Sequence, residues 1–359
     1  MPNIKVLHVI ARMNVGGTAR YVEELVSKIP DSCLATGNVQ GAEIEDLAVQ
    51  NLNVYRVEHM GRKISLLDDV KAWLELRKIV KLVQPQIVHT HTFKAGLIGR
   101  LIGGPHKRVH TYHGHLFGDE SFSATKKRVI GIVERFLASR TDLLISVGIQ
   151  VGEELRESGI GPTRNWLSIA PGVSQLSNVG RRQARIRLGL DLDQILVGWM
   201  ARVTAVKNPL LLLEVARELP EVHFVLAGGG DLLEEIRSLA PKNVTVLGWT
   251  DALTFWSAVD IAISTSNNEG MPVALIEAQL AGIPVVATDV GSNSEVIADR
   301  VTGYVTPKTR TALVDAVRAL VENSSLRIKM GKQAKKRAVE HFSIPTMLEA
   351  HIKAYNSLN

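Results

Sequence analysis

Four charged residues in the second half of this chain have the types and spacing of a site that handles a phosphorylated leaving group. Glu269 and Glu277 stand eight positions apart in the stretch Asp260–Glu295. Arg202 and Lys207 stand five apart, directly after the apolar run Ile195–Ala201. An arginine forks onto two oxygens and a lysine acts as a compact point charge, so a loop holding both makes a phosphate clamp.

The elements that must position these residues can be read locally. DIAIST is a short buried strand ending at a Ser/Asn cluster. NNEGM is a loop, and Pro272 opens a helix where its missing N–H is not needed. Gly282 ends that helix before IPVVAT, the next buried strand. Glu269 therefore lies at the C-terminal end of a parallel strand, where open α/β sheets bind ligands. Glu277 lies on the helix flank, placed to accept hydrogen bonds from two neighbouring hydroxyls such as those of a ribose. Between them, the helix start with the N–H groups of Gly270 and Met271 offers a seat for an anion.

The run Glu269–Gly270–Met271–Pro272 with Glu277 reads Glu–x7–Glu, with Gly–x–Pro directly after the first Glu. Together with Arg202–x4–Lys207 it resembles the signature of retaining glycosyltransferases of family 4, the glycogen synthase-like group 1 glycosyltransferases. The resemblance covers nearly all of the chain and is strongest over residues 195–295. It implies an α/β chain of the GT-B fold: two Rossmann-like domains facing a central cleft, with a C-terminal helix crossing back to the N-terminal domain. It further implies that Arg202 and Lys207 bind the donor diphosphate and that main chain near Trp249 or Thr250 meets the nucleotide base. His113, followed by Gly114, matches the family's active-site histidine facing donor sugar and acceptor; His91 and His115 are its neighbours. Gly16 and Gly17, at the entry of the first helix, would contact donor phosphate or acceptor, and transfer would proceed with retention.

The domain rhythm supports this. KVLHVI, QIVHTH and RVHTYHGH are strands of a first α/β half, with Leu66–Val83 as a crossover helix and Lys126–Ser139 as another. Phe117–Thr125 reads as an acceptor-side loop. Pro171–Gly172 breaks the pattern and an arginine-rich polar stretch follows, so residues 1–175 form the acceptor-binding domain. Residues 176–342 form the nucleotide-sugar domain, and residues 343–359 the returning helix. Gly228–Gly229–Gly230 let the second sheet's edge approach a ligand. SNSEVI and GYVTP continue that sheet.

Composition bounds the function classes. At 359 residues the chain suits two domains, and 45% apolar with 22% charged residues is ordinary for a soluble protein. The single Cys33 excludes an internal disulfide and fits a reducing compartment. No apolar run reaches the roughly 18 residues of a membrane span, and the start of the chain runs straight into a strand without a signal peptide. The net charge of +6 is uneven: 22 Lys+Arg against 17 Asp+Glu in residues 1–170, and 20 against 19 beyond. The basic half suits an anionic membrane surface or a phosphorylated, lipid-linked acceptor, though a solvated surface would read the same. The expectation is a cytoplasmic enzyme, peripheral on the inner face of the plasma membrane, with no cofactor, no metal and no nucleic-acid partner. Its donor would be a UDP-sugar rather than a GDP-sugar, and its product cell-surface polysaccharide or glycolipid. Three alternatives stand beside it: a nucleotide-sugar 2-epimerase of the same fold, a zinc-dependent hydrolase using His89, His91 and His113, and a non-catalytic donor-binding module.

Overall fold

The computed structural model describes residues 4–39, 45–61, 65–114, 123–174 and 179–358. The chain forms two compact units. One comprises the chain up to Gly172 together with the segment from Ile344 onward, and the other Val173–Ser343.

In the first unit strands and helices alternate: β1 (Val6–Ile10), α1 (Gly17–Lys28), β2 (Ser32–Thr36), β3 (Val54–Arg56), α2 (Leu66–Val83), β4 (Ile87–His91), α3 (Phe93–Gly99), β5 (Lys107–Tyr112), α4 (Ala124–Ser139), β6 (Leu143–Ser146), α5 (Ile149–Glu157) and β7 (Trp166–Ser168). The sheet runs β3-β2-β1-β4-β5-β6-β7 with every pair parallel. β1, β4 and β6 are buried along their whole length. This is what a parallel sheet covered by helices on both faces demands, and it explains runs without polar alternation. Within the core, Arg100 forks onto Glu134 at 2.7 and 2.9 Å, and the Tyr112 hydroxyl donates to the same carboxylate at 2.8 Å.

The second unit repeats the pattern: α6 (Arg181–Leu188), β8 (Leu196–Met200), α7 (Pro209–Glu218), β9 (His223–Ala227), α8 (Leu233–Leu239), β10 (Val244–Gly248), α9 (Ala252–Ala258), β11 (Ile261–Ser264), α10 (Val273–Leu280), β12 (Val285–Thr288), α11 (Asn293–Val296), β13 (Gly303–Thr306), α12 (Arg310–Glu322) and α13 (Ser324–His341). Its parallel sheet has the order β10-β9-β8-β11-β12-β13. Trp199, Phe224, Leu226, Ile261, Ile263 and Val286 pack with the apolar faces of α7 and α12 in one core. The chain ends in α14 (Ile344–Asn356), which belongs to the first unit: the Tyr21 hydroxyl lies 3.0 Å from His351 Nε2.

Several local readings need correction. The arginine-rich stretch after the first unit is helix α6, and its Arg185 is fully buried, donating to Asp260 Oδ2 at 2.7 Å and to three carbonyls of the next loop. Asn293–Val296 is a helical turn rather than a strand, and only Gly303–Thr306 extends the sheet. β5 stops at Tyr112, so His113 lies in the loop after it. His115 and residues 117–122 of the expected acceptor-side loop lie outside the described residues. Of the apolar positions on α2, the unit buries Leu76, Val80 and Val83 and leaves Leu67, Val70 and Leu74 exposed.

Candidate active site

In the second sheet the strand order reverses at β8. Successive strands run outward through β9 and β10 on one side, and through β11, β12 and β13 on the other. Connections leaving β8 and β11 therefore diverge, opening a crevice at the carboxyl ends of these strands. The loop after β8 carries Arg202 and Lys207, and the loop after β11 carries Glu269.

Hydrogen bonds tie the two loops into one body. The Asn267 N–H donates to Val206 O at 2.8 Å, and the Thr265 hydroxyl donates to Asn208 O at 2.8 Å. Trp199 Nε1 in turn donates to Thr265 Oγ1 at 3.0 Å, anchoring both loops to β8. Across this seam Lys207 Nζ lies 2.6 Å from Glu269 Oε2, while Ser266 Oγ donates to Glu269 Oε1 at 2.7 Å. Both carboxylate oxygens of Glu269 are thus held, and its side chain is only 9% exposed. The loop after β12 backs it: the Ser292 N–H donates to Gly270 O at 3.2 Å. Gly291, at φ +50°, lies so close to the Glu269 carbonyl that a Cβ there would collide with it.

The remaining donor-side residues line the same rim. Arg202 is exposed, and its side chain has no hydrogen bond or ion pair among the described residues. Gly228, at φ +138°, follows β9 and leaves no room for a Cβ beside the Ala201 carbonyl. Gly229 lies against the Trp249 ring, which is itself 70% exposed. Thr250 follows it, its hydroxyl donating to Gly248 O at 3.2 Å. Pro272 caps α10, and the N–H groups of Gly270, Met271, Val273 and Ala274 have no acceptor among the described residues. Glu277 lies one turn into α10 and is nearly buried, with Trp256 Nε1 donating to its Oε2 at 3.4 Å. The two glutamates thus differ in their surroundings: a lysine and a hydroxyl hold Glu269, and an indole N–H reaches Glu277. Arg202, Lys207 and the helix start without acceptors among the described residues supply the positive groups that binding of a diphosphate requires.

Gly16, Gly17 and His113 belong to the first unit. Gly16 caps α1 and both glycines are exposed after β1. His113 follows β5; its Nε2 lies 3.1 Å from His91 Nδ1, and the Tyr21 ring meets it edge-on at 4.8 Å. Most of the ring is enclosed, and burial brings its pKa down to about 3. Thr92, directly after His91, takes φ +71°, a conformation that costs about 1–3 kcal/mol outside glycine and clusters at functional sites.

The histidines differ from the zinc expectation. The trio whose ligating atoms lie within 4.8 Å of one another is His8, His89 and His91, without His113. Both nitrogens of His89 already meet hydroxyls at 2.7 Å, Tyr355 on Nδ1 and Thr111 on Nε2. His8 was not singled out by its sequence context, nor were Ser266 and Gly291. Ser266 sits three residues before Glu269, but only the fold shows its hydroxyl turned back onto that carboxylate.

Two parallel-sheet units with these rims define the GT-B architecture. Sucrose-phosphate synthase from Thermosynechococcus elongatus superposes with a TM-score of 0.86 at 19% identity, covering 99% of each chain. Anabaena Alr3699/HepE in complex with UDP-glucose gives a TM-score of 0.84 at 18% identity, over 99% of this chain and 100% of that one. The family model "Glycosyl transferases group 1" matches residues 180–337, and "Glycosyl transferase 4-like domain" matches residues 16–167. In sequence the chain is 26% identical over 371 residues to an Escherichia coli UDP-Gal:alpha-D-GlcNAc-diphosphoundecaprenol alpha-1,3-galactosyltransferase, covering 95% of this chain and 94% of that protein. The chain belongs to the group 1, family-4 glycosyltransferases. The matches give no support to the epimerase or the zinc hydrolase.

Proposed function

We propose that this glycosyltransferase takes its sugar from a UDP-sugar and passes it, with retention and without a metal, to a hydroxyl of a sugar or lipid-linked sugar in cell-surface polysaccharide or glycolipid assembly. The observation that carries the donor assignment is the Lys207–Glu269 pair at 2.6 Å at the second sheet's reversal point, in the same loop as Arg202, which is unpaired among the described residues.

Loss of a diphosphate from an anomeric carbon builds charge on the departing phosphate, and a site catalyses best when that charge meets groups already in place. Arg202, Lys207 and the N–H groups at the start of α10 supply it, which is why no divalent ion is invoked. Lys207 exchanges part of its contact with Glu269 for a phosphate oxygen. Glu269 then orients the sugar hydroxyls and faces the positive charge growing at the anomeric carbon. Glu277 holds the ribose, Trp249 and Thr250 border the base, and Gly228 lets the main chain approach the nucleotide. In the first unit, Gly16, Gly17 and His113 serve the sugar and acceptor. Similarity to the E. coli galactosyltransferase, whose name specifies UDP-Gal and a diphosphoundecaprenol acceptor, supports this choice of donor and acceptor class.

A surface feature supports peripheral membrane binding. On α4, Val129, Ile132 and Phe136 are about half exposed, at helical spacing, beside Lys126, Lys127 and Arg128. An apolar stripe flanked by cations is the composition that seats a helix at an anionic bilayer surface. The test of the whole reading is transfer from UDP-galactose, UDP-glucose and a GDP-sugar to a synthetic polyprenyl-diphosphate sugar, with the product's anomeric proton read by NMR and EDTA in a parallel arm. Retained configuration and EDTA-insensitive turnover with a UDP-sugar are expected; inversion, or loss of activity in EDTA, would refute the mechanism.

A further inference from the structure

Beneath the first unit's reversal point three histidines form a chain. His8 Nδ1 lies 3.2 Å from His91 Nε2, and His91 Nδ1 lies 3.1 Å from His113 Nε2. The outer end, His113 Nδ1, has no partner among the described residues, and its ring is partly exposed. The inner end, His8 Nε2, is fully buried and has no hydrogen-bond partner among the described residues.

Proton counting leaves two arrangements. Burial holds all three rings neutral, so each carries one N–H, and each junction needs one hydrogen. In the outward arrangement every Nδ1 is protonated: His8 donates to His91, His91 donates to His113, and His113 presents Nδ1–H. In the inward arrangement every Nε2 is protonated, and the third N–H is stranded at His8 Nε2 with no acceptor. His8 Nε2 goes unpaired in either arrangement, and a buried orphaned N–H is rarer than a buried acceptor without a donor. At the outer end either form can be met by water or a ligand. The inner dead end therefore selects the outward arrangement.

Neighbouring bonds have fixed directions of their own. His351 Nδ1 donates to Met347 O at 2.9 Å, so its Nε2 is bare and accepts from the Tyr21 hydroxyl. The Tyr21 ring, held by that bond, closes edge-on against His113.

We infer that His8 and His91 are positioning residues that lock His113 as an Nδ1–H donor. This rests on the proposal that His113 faces the donor sugar. In that role His113 donates to a sugar or acceptor oxygen and does not serve as a base, because its outer nitrogen has no lone pair to offer. Nor does the chain relay protons, since its inner end is sealed from any source.

The test is the tautomer itself, read by long-range ¹H–¹⁵N NMR on full-length protein with ¹⁵N-histidine, with His113 assigned by its loss in His113→Gln. Nδ1–H on His113 in the wild type is the expected result. Nε2–H, a metal-bound nitrogen or an imidazolium signal at pH 7.5 would overturn the proposal. His8→Leu only moves the dead end to His91 Nε2 and should leave Nδ1–H on His113. His8→Asp instead offers His91 Nε2–H an acceptor; it should turn the chain inward to Nε2–H on His113 and lower kcat about tenfold with little change in KM. Nε2–H on His113 in folded His8→Leu, or Nδ1–H retained in folded His8→Asp, would also overturn it. The NMR readout needs no substrate, so it stands whether or not the UDP-galactose assay succeeds.

Discussion

The two units share one topology and use it in opposite ways. Each is a parallel sheet whose strand order reverses near its middle, at β1/β4 in the first and β8/β11 in the second. At the first reversal point the fold gathers neutral histidines: His8, His89 and His91 are fully buried and hold one another, Tyr355 and Thr111. At the second it gathers charge: Lys207 and Glu269 in contact, with Arg202 exposed beside them. Topology decides where a ligand can sit, and the side chains decide which. Neutral, tautomer-fixed donors and acceptors suit hydroxyl-rich sugars, whereas forked and point cations suit a pyrophosphate.

The contrast can be broken by removing charge from the second unit. Glu269→Ala should lower kcat for transfer by about 10²–10³, the loss associated with one preorganised group facing transition-state charge, while thermal unfolding stays near wild type. Lys207→Ala should weaken UDP binding by roughly 10- to 100-fold in a calorimetric titration, since a charge-assisted bond is lost and Glu269 is left unpaired beside an anion. Unchanged values in both variants would remove the site assignment.

The first unit should respond to acid instead. Buried His8 has its pKa lowered from 6.5 to about 3, and His89 and His91 lie well below 6.5, in each case chiefly through burial. Above 6.5 the folded and unfolded rings are both neutral, and titration changes nothing. Between 6.5 and about 3 only the unfolded chain binds the proton, so stability falls as pH falls. Each such ring contributes a slope of up to about 1.4 kcal/mol per pH unit. Hydrogen exchange at pH 7.5 and 5.5 should show amides of β1 and β4 losing protection before those of β8 and β11. Equal loss in both sheets would contradict the concentration of fully buried neutral rings in the first unit.

The smallest effect concerns Glu277. If its carboxylate holds the ribose, Glu277→Gln should reduce the preference for UDP over 2′-deoxy-UDP by about fivefold, around 1 kcal/mol. An unaltered preference would mean that Glu277 takes no part in holding the ribose.

Much of this was legible in the chain. Ser65 and Gln84 bound a helix read to the residue as Leu66–Val83, and Pro272 and Gly282 bracket α10. The donor-side residues were legible because they lie in loops after apolar strands, a local pattern. What was not legible depends on distance along the chain. Arg185 reads as a polar breaker until Asp260, 75 residues away, gives it a buried partner. β2 has no alternation to betray it and is a strand because β1 and β3 flank it. His8 looks like one residue of an apolar strand; its partner His91 comes 83 positions later. Such residues take their roles from strand order, which local periodicity does not encode.

The donor site is tested most directly by comparing UDP with uridine in calorimetric titrations of wild type and the Arg202→Ala/Lys207→Ala double variant. If these cations hold the diphosphate, UDP should bind the wild type far more tightly than uridine does, and the double variant should bring the two ligands to nearly the same affinity. A preference for UDP that survives intact in a folded double variant would place the diphosphate elsewhere.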